Sequence, residues 1–270
     1  MTRGSDRIAE AFDRASERGR AALIVYLTAC YPDRETSIAC VEAAVAAGAD
    51  IVEVGLPFSD PIMDGPVIQA ANQHVLDAGV GLGEQLGMVA SLSALRAPRL
   101  VMTYVTVADT RGYARFAAEC ASAGVAGVIL PDLPVTEEEA WRAAAAEHGL
   151  ATVFLASSVS SDDRLDAIAD AASGWVYAAG LLGVTGVDGV DDAPTRALVE
   201  RLRQRTTTPI AVGIGVRDAA DAERVGAYAD GVIVGSALLR TVADGAPEGA
   251  PERVGRLVRA LRQGLERAGR

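Results

Sequence analysis

PIAVGIGVRDAADAERVGAYADGVIVG, residues 209–235, carries the pattern that decides the architecture. Its two ends, PIAVG at 209–213 and GVIVG at 231–235, are apolar at consecutive positions rather than at alternate ones. Strands read that way when both faces are buried, as in a parallel sheet covered by helices. The stretch between them, 217–226, reads as a helix. Working outward, the same kind of run appears as LIVYL at 23–27, IVEV at 51–54, LVMTY at 100–104, GVIL at 127–130, TVFL at 152–155 and WVYA at 175–178, eight in all. Helical segments fill the intervals at 67–77, 84–95, 112–122, 135–147, 162–172 and 193–204, and another precedes the first strand at 5–18. Between the first two strands Ile38, Val41 and Val45 share a helical face, with Gly48 where the helix ends. Near the C-terminus Val254, Leu257, Val258, Leu261 and Leu265 form the apolar stripe of an amphipathic helix.

Strand followed by helix, repeated eight times, predicts an α/β fold of the (β/α)8 TIM-barrel class. No linker or low-complexity tract interrupts it, so residues 1–270 read as one barrel domain with an extra N-terminal helix and a C-terminal amphipathic helix. An open doubly wound sheet is the competing architecture, and the lack of an early G-x-G-x-x-G after a strand counts against it. In a barrel the chemistry sits at the C-terminal ends of the strands and in the loops that follow them.

Composition narrows the chemistry. The chain of 270 residues is 50% hydrophobic and carries a net charge of −11, a poor match for nucleic acid or for an anionic membrane. No apolar run approaches the roughly 20 residues of a transmembrane helix. The opening MTRGSDRIAEAFDRASERGR lacks a signal-peptide h-region, which predicts a cytoplasmic protein. Cys30, Cys40 and Cys120 show no CxxC spacing and read as core thiols. There is no lysine anywhere in the chain, which excludes Schiff-base, pyridoxal-phosphate and Walker A chemistry within it. Two separated histidines, His74 and His148, read as structural and argue against a zinc site. Carboxylates, hydroxyls, tyrosines and backbone dipoles remain.

Glu53 lies inside the second strand, between Val52 and Val54. A carboxylate there is either paired with an arginine or kept as a general acid/base at the barrel mouth, and its place favours the second reading. The following loop, GLPFSDPIMDGP at 55–66, contains Asp60 and Asp64. Asp60, before Pro61, reads as a turn residue. Asp64 reads either as a helix N-cap or as a second site carboxylate, since its loop leaves directly from Glu53. Tyr26, Tyr104 and Tyr177 fill the core or line a pocket. The loop after Tyr177 carries Gly180, Gly183, Gly186 and Gly189, a composition suited to closing over an anion or to a plain connection. Gly213-Ile214-Gly215 and Gly235-Ser236 end the last two strands. Glycine turns there, ahead of helix N-termini, suit a phosphate group, with Ser236 as an ordinary N-cap the alternative.

VEVGLPFSDPIMDGPVIQ, with GVTG at 183–186, GIGV at 213–216 and GVIVGSA at 231–237, closely resembles the tryptophan synthase alpha chain family, essentially end to end. The resemblance implies cofactor-independent retro-aldol cleavage of indole-3-glycerol phosphate to indole and glyceraldehyde 3-phosphate. It implies that Glu53 is the catalytic acid/base and that Asp64 holds the indole N–H, with Tyr177, Tyr26 and Tyr104 around the same pocket. Gly186, Gly215, Gly235 and Ser236 match phosphate-binding positions, and Thr185 matches a threonine that helps close the site on Asp64. A tryptophan synthase beta chain is the implied partner, in an alpha2-beta2 heterotetramer, facing loop 55–64 and the loop after Tyr104. Four positions depart from the family's usual residues: Cys30 and Gly180 stand for glycine and serine, Thr106 for asparagine, and His74 for arginine. These departures leave room for a stand-alone indole-releasing lyase of secondary metabolism, or for a weak subunit that regulates a beta chain. Another phosphosugar barrel, an isomerase or epimerase, would share the phosphate site but not the Glu53–Asp64 pairing.

Overall fold

A computed structural model of the chain describes residues 3–180, 192–213 and 215–269. Helix α1 (Gly4–Ser16) leads into β1 (Ala22–Thr28), α2 (Arg34–Ala46), β2 (Ile51–Gly55), α3 (Pro66–Asp77), α4 (Leu82–Ser91) and β3 (Arg99–Met102). Then come α5 (Val105–Arg111), α6 (Tyr113–Ser122), β4 (Gly127–Ile129), α7 (Glu139–Glu147), β5 (Ala151–Ala156) and α8 (Asp162–Ala171). The chain continues through β6 (Val176–Ala179), α9 (Ala193–Arg203), β7 (Ile210–Gly213), α10 (Ala219–Gly226), β8 (Gly231–Val234), α11 (Ser236–Ala243) and α12 (Ala250–Ala268). The eight strands pair in parallel and in chain order, and β8 closes on β1. This is the (β/α)8 barrel that the apolar runs predict.

Alternation along each strand divides the core in two. Ile24, Ile51, Leu100, Ile129, Val153, Trp175, Ala211 and Ile233 meet one another inside the barrel. Their neighbours Val25, Val52, Val101, Val128, Val176, Val212 and Val232 belong to the outer layer under the helices. Both sets are apolar, which is why the strands read as continuous hydrophobic runs. The interior set also takes in Ile8, Ala11, Phe12 and Ala15 of α1, so that helix plugs the N-terminal end of the barrel. Phe12 meets Trp175 with ring centroids 6.1 Å apart. At the same end the buried guanidinium of Arg20 grips Asp50 through two bonds of 2.6 and 2.8 Å, and Asp50 also accepts from the Leu23 amide. At the periphery α12 lies against α10 and α2 and buries Val254, Val258, Leu261 and Leu265.

The helix expected over 84–95 is Leu82–Ser91, the one expected over 135–147 starts at Glu139, and the region after the third strand also differs from expectation. The third strand ends at Met102, so Tyr104 stands beyond it as the N-cap residue of α5. That short helix replaces the loop expected after Tyr104, because Asp132 from the β4 loop accepts the Val105 amide at 2.9 Å and caps its first turn. Among the described residues no helix is long and apolar enough to cross a membrane. Cys30, Cys40 and Cys120 are all buried and unbridged. Replacing Phe12 by alanine leaves a cavity under the barrel floor, and urea denaturation should show a loss of about 3–5 kcal/mol with an unchanged slope.

Candidate active site

Register places Glu53 beside Tyr26 on one side and Leu100 on the other, all three with side chains toward the barrel interior. Glu53 is 1% exposed, and its Oε1 is buried with no hydrogen-bond partner. Among the described residues no guanidinium acts on it. Burial alone raises its pKa to about 8, so the arginine pairing considered from sequence is not what this carboxyl adopts.

Asp64 has a different environment. Gly65 takes the N-cap place of α3, with Pro66 next, so Asp64 is not the cap. Its carboxylate accepts from Asn72 Nδ2 at 3.1 Å and from the Tyr104 hydroxyl. Tyr104 in turn accepts from the Met63 amide at 3.1 Å and stacks on Phe58. Burial raises Asp64 to about 6, with those two donors pulling the other way. Asp60 is the exposed turn residue expected, bonded to Ser59.

The three tyrosines face this cavity. Burial raises the Tyr26 and Tyr177 phenols, and the charges of Asp64 and Glu53 raise both further. A Cβ on Gly55 would run into the Tyr26 hydroxyl, and one on Gly213 into that of Tyr177, so each ring lies over a glycine on the next strand. A Cβ on Gly235 would come within 3.3 Å of the Tyr26 ring. Carboxylates, phenols and the β8 turn therefore share one rim.

β7 and β8 are neighbours, which sets the Gly213 and Gly235 turns side by side. Gly215 is exposed with φ of 44°, a conformation that suits glycine. Gly235 caps α11, and Ser236 is that helix's first residue rather than its N-cap. The first amides of α11 have no intrahelical acceptor and are oriented as an anion site requires. Thr185 and Gly186 lie outside the described residues, as do Gly183 and Gly189 of the same loop.

Sequence reading missed Thr28 and Asn72, respectively 1% and 2% exposed. Thr28 Oγ1 donates to Asn72 Oδ1 at 3.5 Å. The available signal was an asparagine in the buried stripe of α3, between Ala71 and Val75. Among the described residues no group of three or more His, Cys, Asp or Glu is placed to hold a metal ion.

The sequence model of the family described as "Tryptophan synthase alpha chain" matches residues 12–268. The chain belongs to the tryptophan synthase alpha chain family. It is 50% identical over 248 residues to the tryptophan synthase alpha chain of Streptomyces coelicolor, covering 92% of this chain and 90% of that one. The Acidothermus cellulolyticus alpha chain is 43% identical, with 96% and 97% covered. A tryptophan synthase structure from Mycobacterium tuberculosis superposes with a TM-score of 0.89 at 40% identity, covering 96% of this chain and 98% of that one.

The positions where this member departs from the family's usual residues lie around the site and none is a partner of Glu53 or Asp64. Cys30 has φ of 60°, alone in this among the described non-glycine residues, at a position where the resemblance implied glycine. The exposed His74 donates from Nε2 to the Pro32 carbonyl at 2.9 Å. Thr106 is exposed on the first turn of α5, and Gly180 is half-buried just past β6.

The raised pKa of Glu53 has a consequence for stability. Between its ordinary value of 4.5 and about 8 the unfolded chain has lost this proton while the folded chain keeps it. The folded state then binds more protons, so this group makes stability fall as pH rises through that window. Urea denaturation from pH 5 to 9 should show a shallower decline for Glu53→Gln, with the variant the more stable protein at the alkaline end.

Proposed function

We propose that this chain is the subunit that cleaves indole-3-glycerol phosphate to indole and glyceraldehyde 3-phosphate in tryptophan biosynthesis, with Glu53 and Asp64 as its two working carboxyl groups. The observation that carries the reading is Glu53, buried in the barrel interior with an unpartnered oxygen and no counter-ion.

With a pKa near 8 Glu53 holds its proton at neutral pH, and near 6 Asp64 is mostly ionised. Two carboxyls split in this way suit opposite tasks. Asp64 accepts the indole N–H and stabilises the positive charge that develops when C3 is protonated. Glu53 gives a proton to C3 and takes the proton of the side-chain hydroxyl. The carbon–carbon bond then breaks, its electron pair returns to the indole ring, and the hydroxyl C–O becomes the aldehyde. Tyr177, over Gly213, and Tyr26, over Gly55, wall the cavity and keep water from the transferring proton. Gly215, Gly235 and Ser236 receive the phosphate, in reach of the α11 amides, and Thr185 and Gly186 complete that end. Every proton in this scheme moves on a side chain of the chain itself, so the reading requires no cofactor.

A solved Pyrococcus furiosus structure, with a TM-score of 0.83 at 32% identity, is of a tryptophan synthase complex, and it covers 90% of this chain and 98% of the matched chain. We extend that assembly to this chain, with a beta chain as partner on the face of loop 55–64, and place the enzyme in the cytoplasm.

The purified chain incubated with indole-3-glycerol phosphate should release indole, faster with a beta chain present. An isomerase or epimerase would leave that substrate uncleaved. Glu53→Gln should lower kcat by about 10²–10⁴-fold while a phosphate ligand still binds, because only the proton-transfer group is lost. Unchanged turnover in that variant overturns the assignment.

A further inference from the structure

Asp64, in the loop after β2, is held by buried side chains that reach it from α3 and β1. Thr28 Oγ1 donates to Asn72 Oδ1 at 3.5 Å, and Asn72 Nδ2 donates to Asp64 Oδ2 at 3.1 Å. Tyr104 donates to the same carboxylate. The order of donors among these side chains admits one arrangement. An ionised Asp64 can only accept, so it takes the amide nitrogen of Asn72, and the amide oxygen is left for the Thr28 hydroxyl. Turned over, Asn72 would set a carbonyl oxygen against a buried carboxylate, with the donor lost as well.

We propose that Asn72 is a positioning residue for the reaction, oriented by the Thr28 hydroxyl so that its Nδ2 addresses Asp64. The inference rests on the reading of Asp64 as the carboxylate that binds the indole N–H. Asn72 fixes which oxygen of Asp64 stays free for substrate, and its donor favours the ionised form. The titratable groups around Asp64 are Tyr104, Tyr26 and Tyr177, with Glu53 across the same cavity. None of them is a cation, so neutral donors bear the whole task.

The test compares Asn72→Asp, Thr28→Val and Thr28→Ser in turnover of indole-3-glycerol phosphate across pH. Alongside it, carbon-13 NMR follows the carboxyl titration of Asp64, assigned with Asp64→Asn. In Asn72→Asp two carboxyls share one site, so Asp64 should titrate about one unit or more higher. Its kcat at neutral pH should fall about tenfold to a hundredfold, with KM little changed, and recover toward acid pH, where a shared proton restores a donor. Thr28→Val, nearly isosteric, should lower kcat and raise the Asp64 titration, while Thr28→Ser keeps both near the parent values. An unmoved Asp64 titration in Asn72→Asp, or equal kcat in the valine and serine variants, overturns the proposal. Absence of turnover in the parent protein overturns the lyase reading instead, and the NMR titrations still decide the role of Asn72.

Discussion

A carboxyl group closed inside a parallel barrel has no water to stabilise its charge, and Glu53 has no cation either. Its ionised form is therefore costly, the proton stays on at neutral pH, and one buried oxygen waits without a partner. An arginine in reach would satisfy the carboxyl and hold it ionised. The site tolerates this uncompensated group because the rest of the molecule holds it in place. Asp64, a loop away, is given two donors and stays easier to ionise. One elementary contrast, donors supplied or withheld, separates the two carboxyls.

The barrel fixes that contrast in space. Parallel register puts Tyr26 beside Glu53, and glycines on the neighbouring strands leave room for two phenol rings that a methyl group would displace. At the opposite end α1 and the Arg20–Asp50 pair close the floor beneath the two carboxyls. The packing of the floor and the proposed chemistry thereby lie at opposite ends of the strands, in the manner usual for this fold.

Much of this was legible in the chain itself. Strands buried on both faces have no polar side to show, so their runs are continuous, and their number and spacing imply closure. Glu53 was conspicuous because a charge in such a run needs a reason. Helix α5 was not legible, since Tyr104 extends the apolar run of β3 and the residue that caps the helix, Asp132, comes from a different loop. Thr28 and Asn72 were missed because each is unremarkable in its own element and matters only through the bonds between them.

By itself the sequence determined the eight strand–helix repeats, the barrel and the family, and it singled out Glu53 and Asp64 as candidates, because these follow from local periodicity and from motifs of adjacent residues. Only the tertiary structure decided that Glu53 has no arginine, that Asp64 has Asn72 and Tyr104, and that Tyr26 and Tyr177 lie over glycines. Those facts depend on which side chains from distant segments arrive in one low-dielectric cavity, and protonation there is set by neighbours that no local pattern names.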